Sequence, residues 1–483
     1  MIVMKFGGSS LESGEAIFRV TQIVKSELAR NPVVVVSAMG KTTNRLLDLA
    51  TEAERGHSYF AWQSLKELQE YHLEEASKVV SGAALDSLGD SLHRQFTQMC
   101  RLIFEASDEG RELTPALKDE IASLGERVSS EIVAAAMQAA GIDSFHLDSR
   151  KVILTDDNHT HATPRYWETY AKLRRVIPVL AADRTVVMGG FIAATAAGAT
   201  TTLGRGGSDL SASIVAAGIS AEEVQIWTDV DGVLSCDPKV LQGLYRLKCL
   251  SYDEATAMAR AGAKVLHPDT VAPAVRQRIP IVVRNSRRPE CEGTRIASGA
   301  VPCGNPVKSI ACKPDLTILE LRRTAGASDL LETLKQLCSR HGVAPEMIAQ
   351  SGDAVYLAVK SCERYDHLRM DLEHCVEARV RTERALIALV GGAFPQAARA
   401  IAVLKNPDAF AIYDEASPLT LTIVVAQGDL SKSVELLHRE FFKEVDHRVF
   451  AKSTPELAPQ PETLLPCPSR RMKWNRLQPV RLH

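Results

Sequence analysis

The chain has 483 residues, enough for about three domains of ordinary size. Its 57 lysines and arginines nearly balance 59 aspartates and glutamates, a formal net charge of −2, so charge gives no reason to expect nucleic acid as the main partner. The longest uncharged run, Thr185 to Gly204, holds too many glycines and threonines for a membrane span, and the ten cysteines form no Cys-x-x-Cys pair.

The N-terminus, Met1-Ile2-Val3-Met4-Lys5, lacks the basic-then-apolar layout of a secretory leader. Reduced thiols in a cytoplasmic protein are therefore expected, with no membrane association. Ile2–Phe6 reads as a strand, and Ile17, Val20, Ile23, Val24 and Leu28 then mark one helical face. Val33-Val34-Val35-Val36 is too apolar to alternate and reads as a strand buried on both faces. Residues 60–110 look helical and polar, and Glu120–Ala139 is a second strong helix. Strands are expected at Ser144–Leu147, Val176–Leu180, Val186–Phe191, Val224–Thr228 and Ile281–Val283. Helices are expected at Ser208–Ala217, Asp253–Arg260 and Thr270–Arg276. This alternation predicts an α/β domain over residues 1–300, a mostly parallel sheet sandwiched by helices.

The pattern changes after Pro314. Strand Leu316–Leu321, helix Asp329–Cys338, a hairpin of Met347–Gln350 and Val355–Val359, helix Tyr365–His374 and strand Val376–Arg381 make one β-α-β-β-α-β unit over 314–383. A second run over 384–445 looks alike: Ala385–Val390, Pro395–Val403, Ala409–Tyr413, Leu419–Val425 and Lys432–Phe441. Two ferredoxin-like domains are preferred over one irregular α+β domain. Residues 454–483 are proline-rich and basic and read as a disordered tail.

Two glycine-rich segments could carry chemistry. Lys5-Phe6-Gly7-Gly8-Ser9-Ser10 lies between a strand and a helix, where free amides and a lysine suit an anion. Thr201-Thr202-Leu203-Gly204-Arg205-Gly206-Gly207-Ser208-Asp209 offers hydroxyls, amides, a guanidinium and a carboxylate before another helix. Arg205 could grip a carboxylate through two parallel hydrogen bonds, and Asp209 could hold a lysine or a metal-bound water. Two familiar motifs fail. Val35 stands where a P-loop needs its first glycine, and Asp209 where a dinucleotide fingerprint needs its last. His159-Thr160-His161 beside Asp156 and Asp157 reads as a solvated loop rather than a metal site. Thr228-Asp229-Val230-Asp231-Gly232 ends a strand with a polar turn, followed by Asp237-Pro238-Lys239 and Gly262-Ala263-Lys264. Lys5 and Lys264, with Lys239 as a third candidate, could neutralise a nucleoside triphosphate, as phosphoryl transfer needs.

Together, Lys5–Ser10, Ser37–Asn44, Ser123-Leu124-Gly125-Glu126, Gly189-Gly190-Phe191, Thr201–Asp209, Trp227–Asp231 and Gly262–Pro268 resemble the aspartate kinases of the amino-acid kinase family. The two C-terminal units resemble that family's ACT regulatory domains, in the layout of the monofunctional, lysine-sensitive type. The resemblance implies ATP-dependent phosphorylation of the L-aspartate side chain to 4-phospho-L-aspartate, opening lysine, threonine and methionine biosynthesis. It implies that Lys5 and Asp209 are catalytic, and that Thr43, Glu126, Arg205 and Ser208 bind aspartate. Lys5, Gly7, Gly8, Ser9, Thr228, Asp229, Leu234, Lys239 and Lys264 would bind ATP, with Mg²⁺ on its phosphates. Many members carry tyrosine at Leu234 and arginine at Lys239; leucine lacks the aromatic face and lysine the planar fork. Glu346, Ser351 and Asp353 are the candidate contacts for an amino-acid effector, and a homodimer or higher homo-oligomer is expected. The competing readings are a kinase for glutamate or N-acetylglutamate, and a weakly active amino-acid sensor.

Overall fold

The computed structural model describes residues 1–108, 113–263, 266–299, 301–322, 330–360, 367–368, 370–371, 377–392, 394–414 and 417–453. These form two compact units: Met1–Asp231 with Asp269–Ala297, and Gly232–Pro268 with the described residues from Ser298 onward. Lys264, most of the expected helix at Tyr365–His374 and the tail at 454–483 lie outside the described residues.

Seven strands of the first unit run in the order Thr294–Ala297, Ile281–Asn285, Val224–Thr228, Ile2–Phe6, Pro32–Val36, Thr185–Gly189, Ser144–Leu147. All neighbours are parallel except the Thr294–Ala297 edge. Val33 through Val36 are fully buried, as a strand covered on both faces requires. The register aligns Phe6 with Val36 and Trp227, and Val36 with Gly189. Four parallel strands thus end at one level. Gly7, Ser37, Gly190 and Thr228 therefore lie at the carboxyl edge of the sheet, where open α/β sheets bind ligands. Helix Pro115–Ala139 starts with the Thr114 side chain accepting from the Leu117 amide and with proline at its first turn. Its length brings Glu126 beneath that edge.

The segment Val176–Leu180 is not a strand. It is the last turn of a helix spanning Tyr166–Leu180. Thr169, Leu173 and Ile177 recur every four residues on its buried face, and Leu173 packs against Gly218 of helix Gly207–Ile219. Tertiary packing overrides the β-branched local composition.

The second unit holds a six-stranded antiparallel sheet ordered Met347–Ser351, Ala354–Lys360, Ser309–Arg322, Glu377–Val390, Thr420–Ala426, Phe410–Tyr413. Its two long strands run through both ferredoxin-like repeats. Leu316–Arg322 pairs with the Glu377–Arg384 half of its partner, and Ser309–Lys313 with Leu386–Val390. The repeats therefore share one sheet, and the second one takes a strand that precedes the first. Asp315 and Glu383 have left-handed φ of 59° and 52° at the irregularity between the halves. Helix Leu330–His341 buries Leu330, Leu334, Leu337 and Cys338, and helix Leu430–Phe441 buries Val434, Leu437 and Phe441. Among the described residues no helix is long and apolar enough to cross a membrane.

Candidate active site

Strand Ile2–Phe6 ends in a turn that only glycine can make. A Cβ on Gly8 would stand 2.7 Å from the Gly40 carbonyl oxygen and 3.0 Å from that of Ala38. The chain is locked there, with the Gly40 amide donating to the Gly8 carbonyl and the Gly7 amide to that of Trp227. Ser9 is half-buried in the same turn, and the Ser10 and Ser286 hydroxyls meet at 2.7 Å. Lys5 folds its side chain back along this loop, toward Gly7.

The Lys5 ammonium lies 2.7 Å from Asp209 Oδ1, and the side chains are 12% and 21% exposed. Oδ1 makes no directed hydrogen bond, so the contact is an ion pair. Asp209 sits in the first turn of helix Gly207–Ile219, where the helix dipole also favours its negative charge. Gly206, at φ 74°, swings the chain into that helix. Gly190 and Ser208 are packed so closely that a Cβ on Gly190 would be 2.7 Å from Ser208 Cα. The strand end at Gly189-Gly190 and the Thr201–Asp209 segment thus form one wall.

Glu126 occupies the floor. It is 3% exposed, its Oε1 accepts from the Ala38 amide at 3.1 Å, and its Oε2 is buried with no partner. Burial pushes its carboxyl up to about 8, against the opposing pull of the Ala38 amide and the Lys5 charge. Gly189 fits against it, since a Cβ there would be 3.0 Å from the Glu126 carbonyl oxygen. Gly125, one residue earlier, leaves room for Ala38 and Thr42, at the start of helix Thr42–Glu54. Thr43 is half-buried in that helix's first turn.

Arg205 is exposed. Thr228 Oγ1 donates to Asp229 Oδ1 at 3.1 Å, and Asp229 is exposed. The structure therefore brings Lys5, Gly7, Gly8, Ser9, Glu126, Ser208 and Asp209 to one sheet edge, with Thr228 and Asp229 at the end of the neighbouring strand. Leu234, half-buried, and Lys239, exposed in the turn where its amide donates to Asp237 Oδ1, belong to the second unit. So do Glu346, Ser351 and Asp353. Glu346 precedes strand Met347–Ser351 and Asp353 lies in the turn after it. At about 3.3 Å per residue, that strand holds the two carboxylates at opposite ends of the hairpin.

The residue that sequence reasoning missed is Asp119. It is 1% exposed and accepts from the Thr202 hydroxyl at 2.5 Å, from the Thr160 amide at 3.0 and 3.1 Å, and pairs with His159 Nδ1 at 2.8 Å. His159 is thereby an anchor for its loop, tying it to the strand that leads into Arg205. A helical aspartate with partners 40 to 83 residues away leaves no local signal.

A preorganised lysine–aspartate pair beside a glycine turn, with a buried, half-partnered carboxyl group below, is an arrangement suited to phosphoryl transfer. The family model for the amino acid kinase family matches residues 1–285, and the chain belongs to that family. It is 30% identical to lysine-sensitive aspartokinase 3 of Escherichia coli over 461 residues, covering 92% of this chain and 99% of that one. It is 29% identical to chloroplastic aspartokinase 1 of Arabidopsis thaliana over 466 residues, covering 92% and 80%. The crystal structure of E. coli aspartokinase III in complex with aspartate and ADP matches with TM-score 0.76 at 28% identity, covering 92% of this chain and 100% of that one. The same enzyme in complex with lysine and aspartate matches with TM-score 0.76 at 29% identity, covering 92% and 99%.

Proposed function

We propose that this protein is an ATP-dependent aspartate kinase, transferring a phosphoryl group to the side-chain carboxylate of L-aspartate and producing 4-phospho-L-aspartate, the first step toward lysine, threonine and methionine. The observation that carries the reading is Glu126: a buried carboxyl with one oxygen unpartnered, held neutral in the free protein, is poised to lose its proton to a bound cation, and the α-ammonium of an amino acid supplies that cation. An N-acetylated substrate lacks that ammonium and would leave Glu126 without a charge partner.

On this reading, residues 1–300 carry catalysis, while 314–383 and 384–445 are paired ACT modules. Lys5 stabilises the transferring phosphoryl group and Asp209 holds Lys5 in place. Arg205 takes the α-carboxylate of aspartate, with Thr43 and Ser208 completing its contacts. The Gly7-Gly8-Ser9 amides, Thr228, Asp229, Leu234, Lys239 and Lys264 take the nucleotide. Mg²⁺ would arrive on the nucleotide as MgATP. The metal would neutralise phosphate charge; the protein's own residues position the acceptor. The seven described cysteines are free thiols, which fits a cytoplasmic setting. A homodimer or larger homo-oligomer, with an amino-acid effector on the ACT modules, completes the reading.

The test is an assay with ATP and aspartate, run beside glutamate and N-acetylglutamate, with hydroxylamine trapping the acyl phosphate. Aspartate should be preferred by orders of magnitude. Equal or better turnover of glutamate would replace the assignment.

A further inference from the structure

Within the second unit, the strand Glu377–Val390 carries Arg381 and Arg384, three residues apart. In a regular strand such residues point to opposite faces. Here Leu316 pairs with Arg384 and Ile318 with Arg381, so two residues on one strand span three on the other. This is a bulge, and Glu383 at φ 52° supplies its left-handed residue. Residues opposite each other in a ladder share a face. The bulge thus turns both arginines to the face that holds Leu316 and Ile318.

That face is the buried cluster of Leu316, Ile318, Ala349, Ala358, Leu386, Ile412 and Val424, with Tyr356 and Phe410 packed against it. The sheet curls over it, since the Tyr413 amide of one edge strand donates to Ser351 Oγ of the other at 3.3 Å. The Arg381 guanidinium lies 4.9 Å from the centre of the Phe410 ring and 3.7 Å from Glu320 Oε2. Its Nε is buried without a hydrogen-bond partner. Arg384 is more exceptional, with both Nε and Nη1 buried and unpartnered. Glu320 faces Arg381 through Oε2 and accepts from Arg322 through Oε1 at 2.9 Å, so the donors left without an acceptor are chiefly those of Arg384.

Buried guanidinium donors left without acceptors are strongly unfavourable, and a native structure seldom keeps three such N–H groups idle. Nε and Nη1 lie on different edges of the guanidinium, so Arg384 offers an oxyanion two separately directed, charge-assisted N–H donors. The geometry points to an oxyanion-binding site formed by Arg384 and Arg381 on the curled face of the regulatory sheet. Its ligand is a small molecule bearing a carboxylate or phosphate group, with Tyr356 and Phe410 as its apolar flank. The site is separate from the candidate effector residues: Glu346 and Asp353 carry negative charge and would attract a cation, whereas this site attracts an anion.

The full-length protein is titrated with potassium phosphate and, separately, potassium succinate, against potassium chloride at matched ionic strength, by calorimetry and by thermal denaturation. Binding of at least one is expected, with a raised melting temperature; which salt acts distinguishes a phosphate ligand from a carboxylate ligand. Either anion can also occupy the kinase centre, so the decisive comparison is with variants. Arg384→Leu should weaken the affected titration by about tenfold or more, the scale of losing a charge-assisted hydrogen bond, while kinase turnover stays unchanged. Arg381→Met should weaken it less. If Arg384→Leu fails to fold, Arg384→Lys decides, because it keeps the charge and removes the fixed Nε and Nη1 donors. No binding by the wild type, or binding that these substitutions leave intact, overturns the proposal.

Discussion

The ammonium of Lys5 stands 2.7 Å from Asp209 Oδ1, joining the end of one strand to the first turn of a helix 204 residues later in the chain (209 − 5). Neither residue is part of the apolar core, so removing either should disturb chemistry more than folding. Lys5→Ala and Asp209→Ala should each lower kcat by about 10²–10³-fold, the scale for losing one preorganised charge at a transition state. Circular dichroism and thermal melts establish that the variants are folded, and steady-state kinetics give the rate. Near-native turnover in either variant would move the catalytic centre elsewhere.

Glu126 provides a pH prediction. Its folded-state carboxyl is pushed up to about 8 by burial, above an ordinary value of 4.5. Below about pH 8 the free protein therefore holds Glu126 neutral, and binding an ammonium requires the proton to leave. The kcat/KM for aspartate should rise about tenfold per pH unit on the acid side and level off near 8. Glu126→Gln should abolish this rise and lower kcat/KM for aspartate, with ATP affinity preserved. The linkage runs the other way for stability. The folded state binds this proton more tightly than the unfolded chain, so the contribution to stability of the unliganded protein declines as pH rises from about 4.5 to about 8. A flat aspartate profile over pH 6 to 8 would contradict the assignment.

What could be read in the sequence follows from how local each signal is. Ile2–Phe6 and Ser144–Leu147 are legible to the residue, because a mostly apolar run in the first and polar–apolar alternation in the second are local signals. The glycine turns at Gly7-Gly8 and Gly204–Gly207 were found because close backbone approach leaves a compositional mark. Val176–Leu180 misled because its β-branched residues carry strand propensity, while the helical spacing of Leu173 and Ile177 starts further back. Asp119 was invisible because its partners are distant in sequence. The sequence ends one expected strand at Arg381 and starts the next at Ala385, so nothing in it places Arg381 and Arg384 on one face; the continuous strand and its bulge at Glu383 do. The run before Leu316 was missed because Pro314 and Asp315 suggested a break, yet both strands continue through the irregularity there.

The buried pair Lys308–Glu254, in the second unit, is a stability determinant. The two side chains are 3% and 5% exposed, with Nζ 2.5 Å from Oε1, and Glu254 Oε2 also accepts from the Ser251 amide at the helix start. Removing one partner strands a buried charge. Lys308→Met alone should destabilise by about 3–5 kcal/mol, whereas Lys308→Met with Glu254→Gln should recover part of that loss. Chemical denaturation followed by far-ultraviolet dichroism measures both. Equal destabilisation by single and double variants would show that the loss lies in packing rather than in an unpaired charge.

Feedback by lysine alone should be weak. An effector with two cationic groups needs carboxylates that are fixed and free. Glu346 is fixed but occupied: Lys313 Nζ lies 3.1 Å from its Oε2 and donates to its backbone carbonyl at 2.8 Å, and Lys360 Nζ lies 3.8 Å from its Oε1. An incoming ammonium must displace one of these internal lysines, gaining little net electrostatic energy. Asp353 offers its carboxylate from the exposed Gly352-Asp353 turn at the far end of the hairpin, too distant to share one small ligand with Glu346. Ser351 Oγ is already engaged by the Tyr413 amide at 3.3 Å. Titrating lysine, threonine and methionine, singly and in pairs, at aspartate near KM should show little inhibition by sub-millimolar lysine. Lys313→Met should strengthen whatever lysine inhibition exists, because it frees Glu346 for the effector. Strong inhibition of the wild type by sub-millimolar lysine, unaltered in Lys313→Met, would place the effector contacts on residues other than Glu346.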